Sequence, residues 1–350
     1  MLTAKEVKEF ARKAGADIVG IASMDRFEGA PKQMDPRYIF PEGKSMIVLG
    51  FRIHRGCFRG IEEGTYFISY ATMGYAHINQ LAIPSTLRSI SSFVEDNGWE
   101  AVPVPMENHF SAISDCNGEL LDKPTVPVSP DKPVPDVMFN FRIAAVAAGL
   151  GEIGWSNLLL TPEFGPRQRV AAIITDAPLE ADPLFEGELC DRCMLCVKDC
   201  AGQAISKTES VKVNIGGKEC EWAKLDATAC SIAYAGGVRE ASPFLSEDIS
   251  FDLEKSNENR KGDGRPDLRK LLPFADHTLS TFHHWPAIEG ARGCVRACMN
   301  HLEQQGKLTN KFNNQFRKKP LWKIKPSECS DCKSCNSAKE NEETDTRSYY

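Results

Sequence analysis

The sequence predicts an α/β (α+β) fold: a layered domain of helices and strands, followed by a smaller cysteine-rich module. Three observations carry that expectation. The first hundred residues alternate helix-type and strand-type apolar patterns. Four cysteines, Cys190, Cys193, Cys196 and Cys200, fall at spacings of three, three and four. The chain of 350 residues is 42% hydrophobic and 26% charged, ordinary values for a globular protein that buries a large core.

Thr3 to Glu6 is a capping box, in which the Thr hydroxyl and the Glu carboxylate each satisfy a free backbone N–H at a helix start. Val7, Phe10, Ala11 and Ala14 follow at helical spacing, and Gly15 suits the stop. Residues 17–22 and 45–52 read as buried strands joined by a polar, proline-containing loop. A helical region is expected from about 65 to 97, interrupted at Pro84 because proline cannot donate to the helix, and ended near Gly98. Residues 100–105 read as extended, 111–136 as an irregular loop, 144–149 as a short helix, and 158–160 and 169–175 as further strands. The expected domains are 1–185, then a cysteine module at 186–305 with a charged loop near 245–270, then an extension at 306–350.

The cysteine run carries the chemistry. Three thiolates at this spacing converge on one [4Fe–4S] cube within a single loop, and the fourth, a turn further on, points to a second cluster. Structural zinc would show two well-separated pairs, and disulfides cannot close such short loops without strain. Thirteen cysteines and no export signal indicate a reducing compartment, so the expected location is cytoplasmic. The net charge of −6 argues against a general nucleic-acid binder. No apolar run reaches the ~18 residues of a membrane span. Arg317, Lys318, Lys319, Lys323 and Lys325 form a short basic stretch, either solvated or a docking point for an acidic electron donor. Cys329, Cys332 and Cys335 repeat the first three positions of the run, as a partner-shared metal site or as a tail without metal. Gly149, Gly151 and Gly154 match the letters of a dinucleotide fingerprint, but no strand precedes them. His283-His284-Trp285, Cys57, Cys116 and Trp222 read as packing residues.

The blocks Ala148-Gly-Leu-Gly-Glu-Ile-Gly154, Leu160-Thr-Pro-Glu-Phe-Gly-Pro-Arg-Gln-Arg169 and Ile174-Thr-Asp-Ala-Pro-Leu179, together with the cysteine run, resemble consecutive blocks of cobalamin-dependent reductive dehalogenases. Their order also matches the related epoxyqueuosine reductases. The resemblance implies a nitroreductase-like corrinoid-binding domain and a bacterial ferredoxin-like two-cluster module. It assigns Cys190, Cys193, Cys196 and Cys298 to one cluster, and Cys200, Cys230 and Cys294 to the other. The family's remaining cysteine falls at Ala291, so Cys220, a non-cysteine ligand, a tail cysteine or a [3Fe–4S] cluster must fill the gap. Proline, which the family places after each run, is replaced by Ala201 and Met299.

The same resemblance places Gly149, Gly151, Gly154, Trp155, Phe164 and Gly165 at the corrinoid, and Arg167 and Arg169 where a leaving anion needs a cation. The dehalogenases donate a proton from a tyrosine in a region where this chain has none, which leaves His109, Asp136 and Tyr75 as candidates. The implied activity is reductive cleavage of a carbon–halogen or carbon–oxygen bond in a small organic substrate, with an external ferredoxin or flavodoxin as donor and a homodimer as the assembly. The alternatives are an iron–sulfur electron carrier without corrinoid, or a reductive activator of a partner corrinoid protein.

Overall fold

A computed structural model describes residues 2–105, 113–114, 120–122, 126–245, 287, 289 and 293–324. His109, Cys116, Ala291, the histidine pair with Trp285, Lys325, the tail cysteines and most of the charged loop lie outside the described residues.

The capping box closes at the start of α1 (Ala4–Lys13), where the Glu6 N–H donates to the Thr3 hydroxyl and the Thr3 N–H to the Glu6 carboxylate. β1 (Ile18–Ser23) pairs antiparallel with β2 (Ser45–Arg52). After α2 (Arg59–Glu63) come two π-helical turns, Tyr70–Ala76 and Ile78–Ala82, and then α3 (Ile83–Asp96). Pro84 does not break this region, as the sequence suggests. The change from π to α hydrogen bonding falls there instead, at the residue that has no N–H to give. β3 (Ala101–Val104), β4 (Ile113–Ser114) and β5 (Leu120–Asp122) precede α4 (Phe141–Ala147). The glycine block then carries β6 (Glu152–Ile153), which pairs with β7 (Leu159–Leu160) ahead of β8 (Gln168–Thr175). The cysteine module contributes α5 (Leu195–Lys198), β9 (Ile205–Ile215), β10 (Lys218–Leu225), α6 (Ala227–Tyr234) and α7 (Cys294–Gln304).

The main sheet runs β1-β2-β8-β3, and every neighbouring pair is antiparallel. The layering is therefore α+β, because the adjacent strands are not joined by the parallel crossovers that define α/β sheets. Alternation along β2 and β8 gives the sheet two buried faces. Ile47, Leu49, Ala171 and Ile173 pack with α1, α3 and the π-helical turns, while Met46, Val48, Ala172 and Ile174 pack with α4 and the β9–β10 hairpin. Arg167 and Arg169 share the parity of Ala171, so both stem from the first face.

The β9–β10 hairpin is absent from the sequence reading, although Val211, Val213 and Ile215 alternate ahead of Gly216-Gly217. Both glycines have positive φ, 56° and 91°, in the tight turn where side chains are strained. Residues 306–324 pack onto the first domain: Phe316 is 1% exposed, the Trp322 indole N–H donates to the Ile61 carbonyl, and Arg317 pairs with Glu62 and Asp199. Arg317 is thus committed within the fold, and only Lys318, Lys319 and Lys323 of the described basic stretch face solvent.

Candidate functional site

Cys190, Cys193, Cys196 and Cys298 line one cavity, together with Gly154, Trp155, Leu160 and Leu302. The loop achieves this through two left-handed residues, Arg192 (φ 55°) and Met194 (φ 59°), which turn three successive thiols toward one point. The loop is anchored from outside. The Glu152 carboxylate accepts from the Leu189 and Cys190 N–H groups at 2.8 and 2.6 Å, and the Trp155 N–H donates to the Cys190 sulfur at 3.3 Å. Asp191 accepts from Gln305 and bonds His301, each at 2.8 Å, tying the loop to α7.

The electrostatics of this cavity keep its thiols neutral unless a cation joins them. Burial and the neighbouring Cys190 and Cys193 push the Cys196 thiol up to about 11. Burial, then Cys196, Cys190 and Cys193, push Cys298 well above the ordinary range. Four thiolates cannot coexist there uncompensated, and bound iron is the usual compensation for such a set.

A second group lies beside it. Cys294 is raised by burial, and then by Cys230, Cys200 and Cys196, so it stands between the two sites. Two close backbone approaches make the group possible. A Cβ at Gly293 would lie 2.3 Å from the Asp199 carbonyl oxygen, and one at Gly202 would lie 2.5 Å from that of Ala229. The Cys200 thiol is raised by burial and additionally by Glu289, a carboxylate only 3% exposed.

Cys220 does not join this group. It shares a face of β10 with Trp222 and packs into the core with Ile215, whereas Ala223 on the opposite face meets Trp155 and Cys196. Strand alternation decides this, since only one face of β10 looks toward the cysteines. The glycine block packs closely against its neighbours. A Cβ at Gly149 would meet Pro183, and one at Gly151 would meet the Leu160 carbonyl. Gly154 abuts Leu160 and Cys190, Trp155 walls the first thiol cavity, and Gly165 sits against Leu302 and Leu308. Phe164 is buried beside the Arg167 guanidinium. These residues pack closely around the cysteine module.

On the sheet face, Arg169 draws three tyrosines together. It donates to the Tyr70 hydroxyl at 3.2 Å, lies 3.9 Å over the Tyr75 ring, and is hydrogen-bonded with Tyr234. Burial pulls Arg169 down, but the phenol oxygens more than offset it and hold its pKa above the ordinary value. Burial also keeps Tyr70 and Tyr234 protonated above the usual phenol range. Tyr70 senses Cys294, and Tyr234 ends the helix that carries Cys230, so this cluster adjoins the second cysteine group. Tyr70 and Tyr234 escaped the sequence reading, and no local pattern marks them. The arginine pair itself separates: Arg167 turns to the Ile53 carbonyl and Asn310, away from the tyrosines. Asp136 is exposed, and its carbonyl accepts from Gln33, so it lies outside the buried tyrosine cluster.

No family profile matches the chain. It is 40% identical over 102 residues to a tetrachloroethene reductive dehalogenase of Dehalobacter restrictus, covering 26% of this chain and 18% of that protein. It is 39% identical over 236 residues to the tetrachloroethene reductive dehalogenase of Sulfurospirillum multivorans, covering 57% and 40%. An epoxyqueuosine reductase of a Synechococcus strain is 26% identical over 180 residues, covering 50% and 45%. The chain thus spans less than half the length of each of these relatives. Among solved structures, a catabolic reductive dehalogenase aligns at 17% identity over 88% of this chain and 38% of that one, with a TM-score of 0.47. An epoxyqueuosine reductase bound to a modified tRNA stem loop aligns at 16% identity over 87% and 82%, with a TM-score of 0.43. Among the described residues, no helix is long and apolar enough to cross a membrane.

Proposed function

We propose that the chain belongs to the family that joins the reductive dehalogenases and epoxyqueuosine reductases, and that it is an iron–sulfur- and corrinoid-dependent oxidoreductase. The observation that carries the reading is the adjacency of the Arg169 cluster to the second cysteine group through Tyr70 and Cys294. In this reading residues 1–185 form a nitroreductase-like domain and 186–305 a ferredoxin-like module. Cys190, Cys193, Cys196 and Cys298 hold a four-iron cluster. Cys200, Cys230 and Cys294 hold a second one, with the buried Glu289 carboxylate as its fourth ligand in place of the family's cysteine.

Loaded with iron, the two cysteine groups would supply one-electron transfer between an external ferredoxin or flavodoxin and the region beside Arg169. A corrinoid, when bound, supplies the two-electron reduction that breaks a carbon–halogen or carbon–oxygen bond. The chain's own part is electrostatic. The Arg169 Nε is buried and has no acceptor among the described residues, so this guanidinium has a donor left for a departing anion. The phenols around it stay protonated at neutral pH and are suited to deliver a proton where negative charge develops. Tyr75, with its ring against Arg169, joins Tyr70 and Tyr234 as a donor candidate.

The test is anaerobic reconstitution with iron, sulfide and excess cobalamin, followed by iron and cobalt counts, electron paramagnetic resonance and turnover assays. Tetrachloroethene and an epoxyqueuosine-containing stem loop are the substrates to try, one for each side of the family. Two clusters and stoichiometric cobalt are expected. Two clusters without cobalt would sink the corrinoid part and favour an electron carrier.

A further inference from the structure

On the same sheet face, away from the tyrosines, lies a cavity of about 380 Å³ whose walls include Arg52, His54, Arg55, Arg59, Arg167 and Phe312. Its volume falls in the range of small-ligand sites. Three of its four arginines have carboxylate partners: Arg52 with Asp17 at 3.0 Å, Arg55 with Glu303 at 2.9 Å, and Arg59 with Glu63 at 3.4 Å. Arg167 has none among the described residues. Among the described residues it donates to neutral acceptors, the Ile53 carbonyl and the Asn310 side-chain oxygen, both at 2.9 Å, and its Nε meets no acceptor.

Arg167 is 1% exposed. A guanidinium buried with neutral partners and an unused donor is costly unless an anion completes it. Burial, with Arg55 and Arg52 adding to it against a partial offset from Glu303, lowers its pKa to about 10. Among the described residues, the four arginines of this cavity thus have three carboxylate partners between them, in a cavity large enough to admit a counter-ion.

We propose that this cavity binds a small oxyanion, a phosphate or carboxylate, which Arg167 and the neighbouring arginines would hold. Guanidinium forks match the paired oxygens of either group. Phe312, 41% exposed with Arg55 stacked 3.6 Å from its ring centroid, offers an apolar wall for an organic portion. The site is independent of the proposed reductive chemistry, because Arg169 and its tyrosines take no part in it.

The experiment is calorimetric titration of the full chain, purified anaerobically, with inorganic phosphate and separately with benzoate at constant chloride. Saturable one-to-one binding of at least one is expected, and which of them binds identifies the phosphate or the carboxylate class. Arg167→Gln should weaken that binding about tenfold or more, the loss typical of a charge-assisted fork. Should that buried variant not fold, Arg52→Gln and Arg59→Gln at the more exposed rim read the same site, each weakening binding and together abolishing it. Absence of saturable binding by both anions, or binding that none of the three substitutions changes, overturns the proposal.

Discussion

The two cysteine groups are built on different principles. The first is nearly local: three of its thiols come from one seven-residue loop bent by Arg192 and Met194, and α7 supplies only Cys298. The second is assembled from afar. Cys200, Cys230 and Cys294 come from separate segments, brought together where glycines let backbones touch, with Glu289 near enough to raise the Cys200 thiol. A site made of short-range geometry announces itself in spacing, whereas one made of packing does not. The second group is also the one that touches the Arg169 cluster, so the less legible site stands nearer the proposed chemistry.

The sharpest way to break this comparison is to remove Cys298. Cys298→Ser should abolish the four-thiol site and cut bound iron by roughly half, as expected when one of two four-iron clusters is lost. Iron analysis and electron paramagnetic resonance of the reconstituted protein would show it, and full iron retention would place the first cluster elsewhere. At Arg169, substitution by Gln should leave both clusters loaded while lowering turnover about 10²–10³-fold, the scale of losing a preorganised donor at a developing anion. Steady-state kinetics beside iron counts separates that result from a structural defect.

Gly293→Ala probes the packing of the second group. Its new methyl would clash with the Asp199 carbonyl. Overpacking of this kind costs about 1–3 kcal/mol, so denaturant midpoints should fall and the second cluster should be lost before the first. Glu289→Ala should leave a three-iron cluster with its characteristic signal in the oxidised state, and Glu289→Cys should restore four irons. Unchanged spectra in both variants would remove Glu289 from the ligand set.

The smallest effect concerns the tyrosines. Tyr70 and Tyr234 have folded pKa values raised above the phenol reference of 10.0 by burial. The unfolded chain therefore ionises first, and stability should fall as pH rises past about 10 while changing little below it. An ultraviolet titration should find these two phenols ionising only with unfolding, and early ionisation of both would deny the buried cluster.

By itself, the sequence determined what depends on short-range spacing. The capping box at Thr3, the buried alternation of β2 and β8, and the convergence of Cys190, Cys193 and Cys196 all follow from neighbours a few residues apart. The family blocks added Arg169. Tertiary structure decided the rest, because it depends on which faces meet. Pleating turned Cys220, one of several candidates for the missing ligand, into the core and away from the thiols. Close packing used up the glycine block around the first cavity. Arg167 and Arg169, two residues apart on one face, were sent to different surroundings, one facing an arginine-lined cavity and the other three tyrosines drawn from distant helices. Spacing along a chain sets which side of a strand a residue occupies, but only the elements packed against that side decide its chemistry.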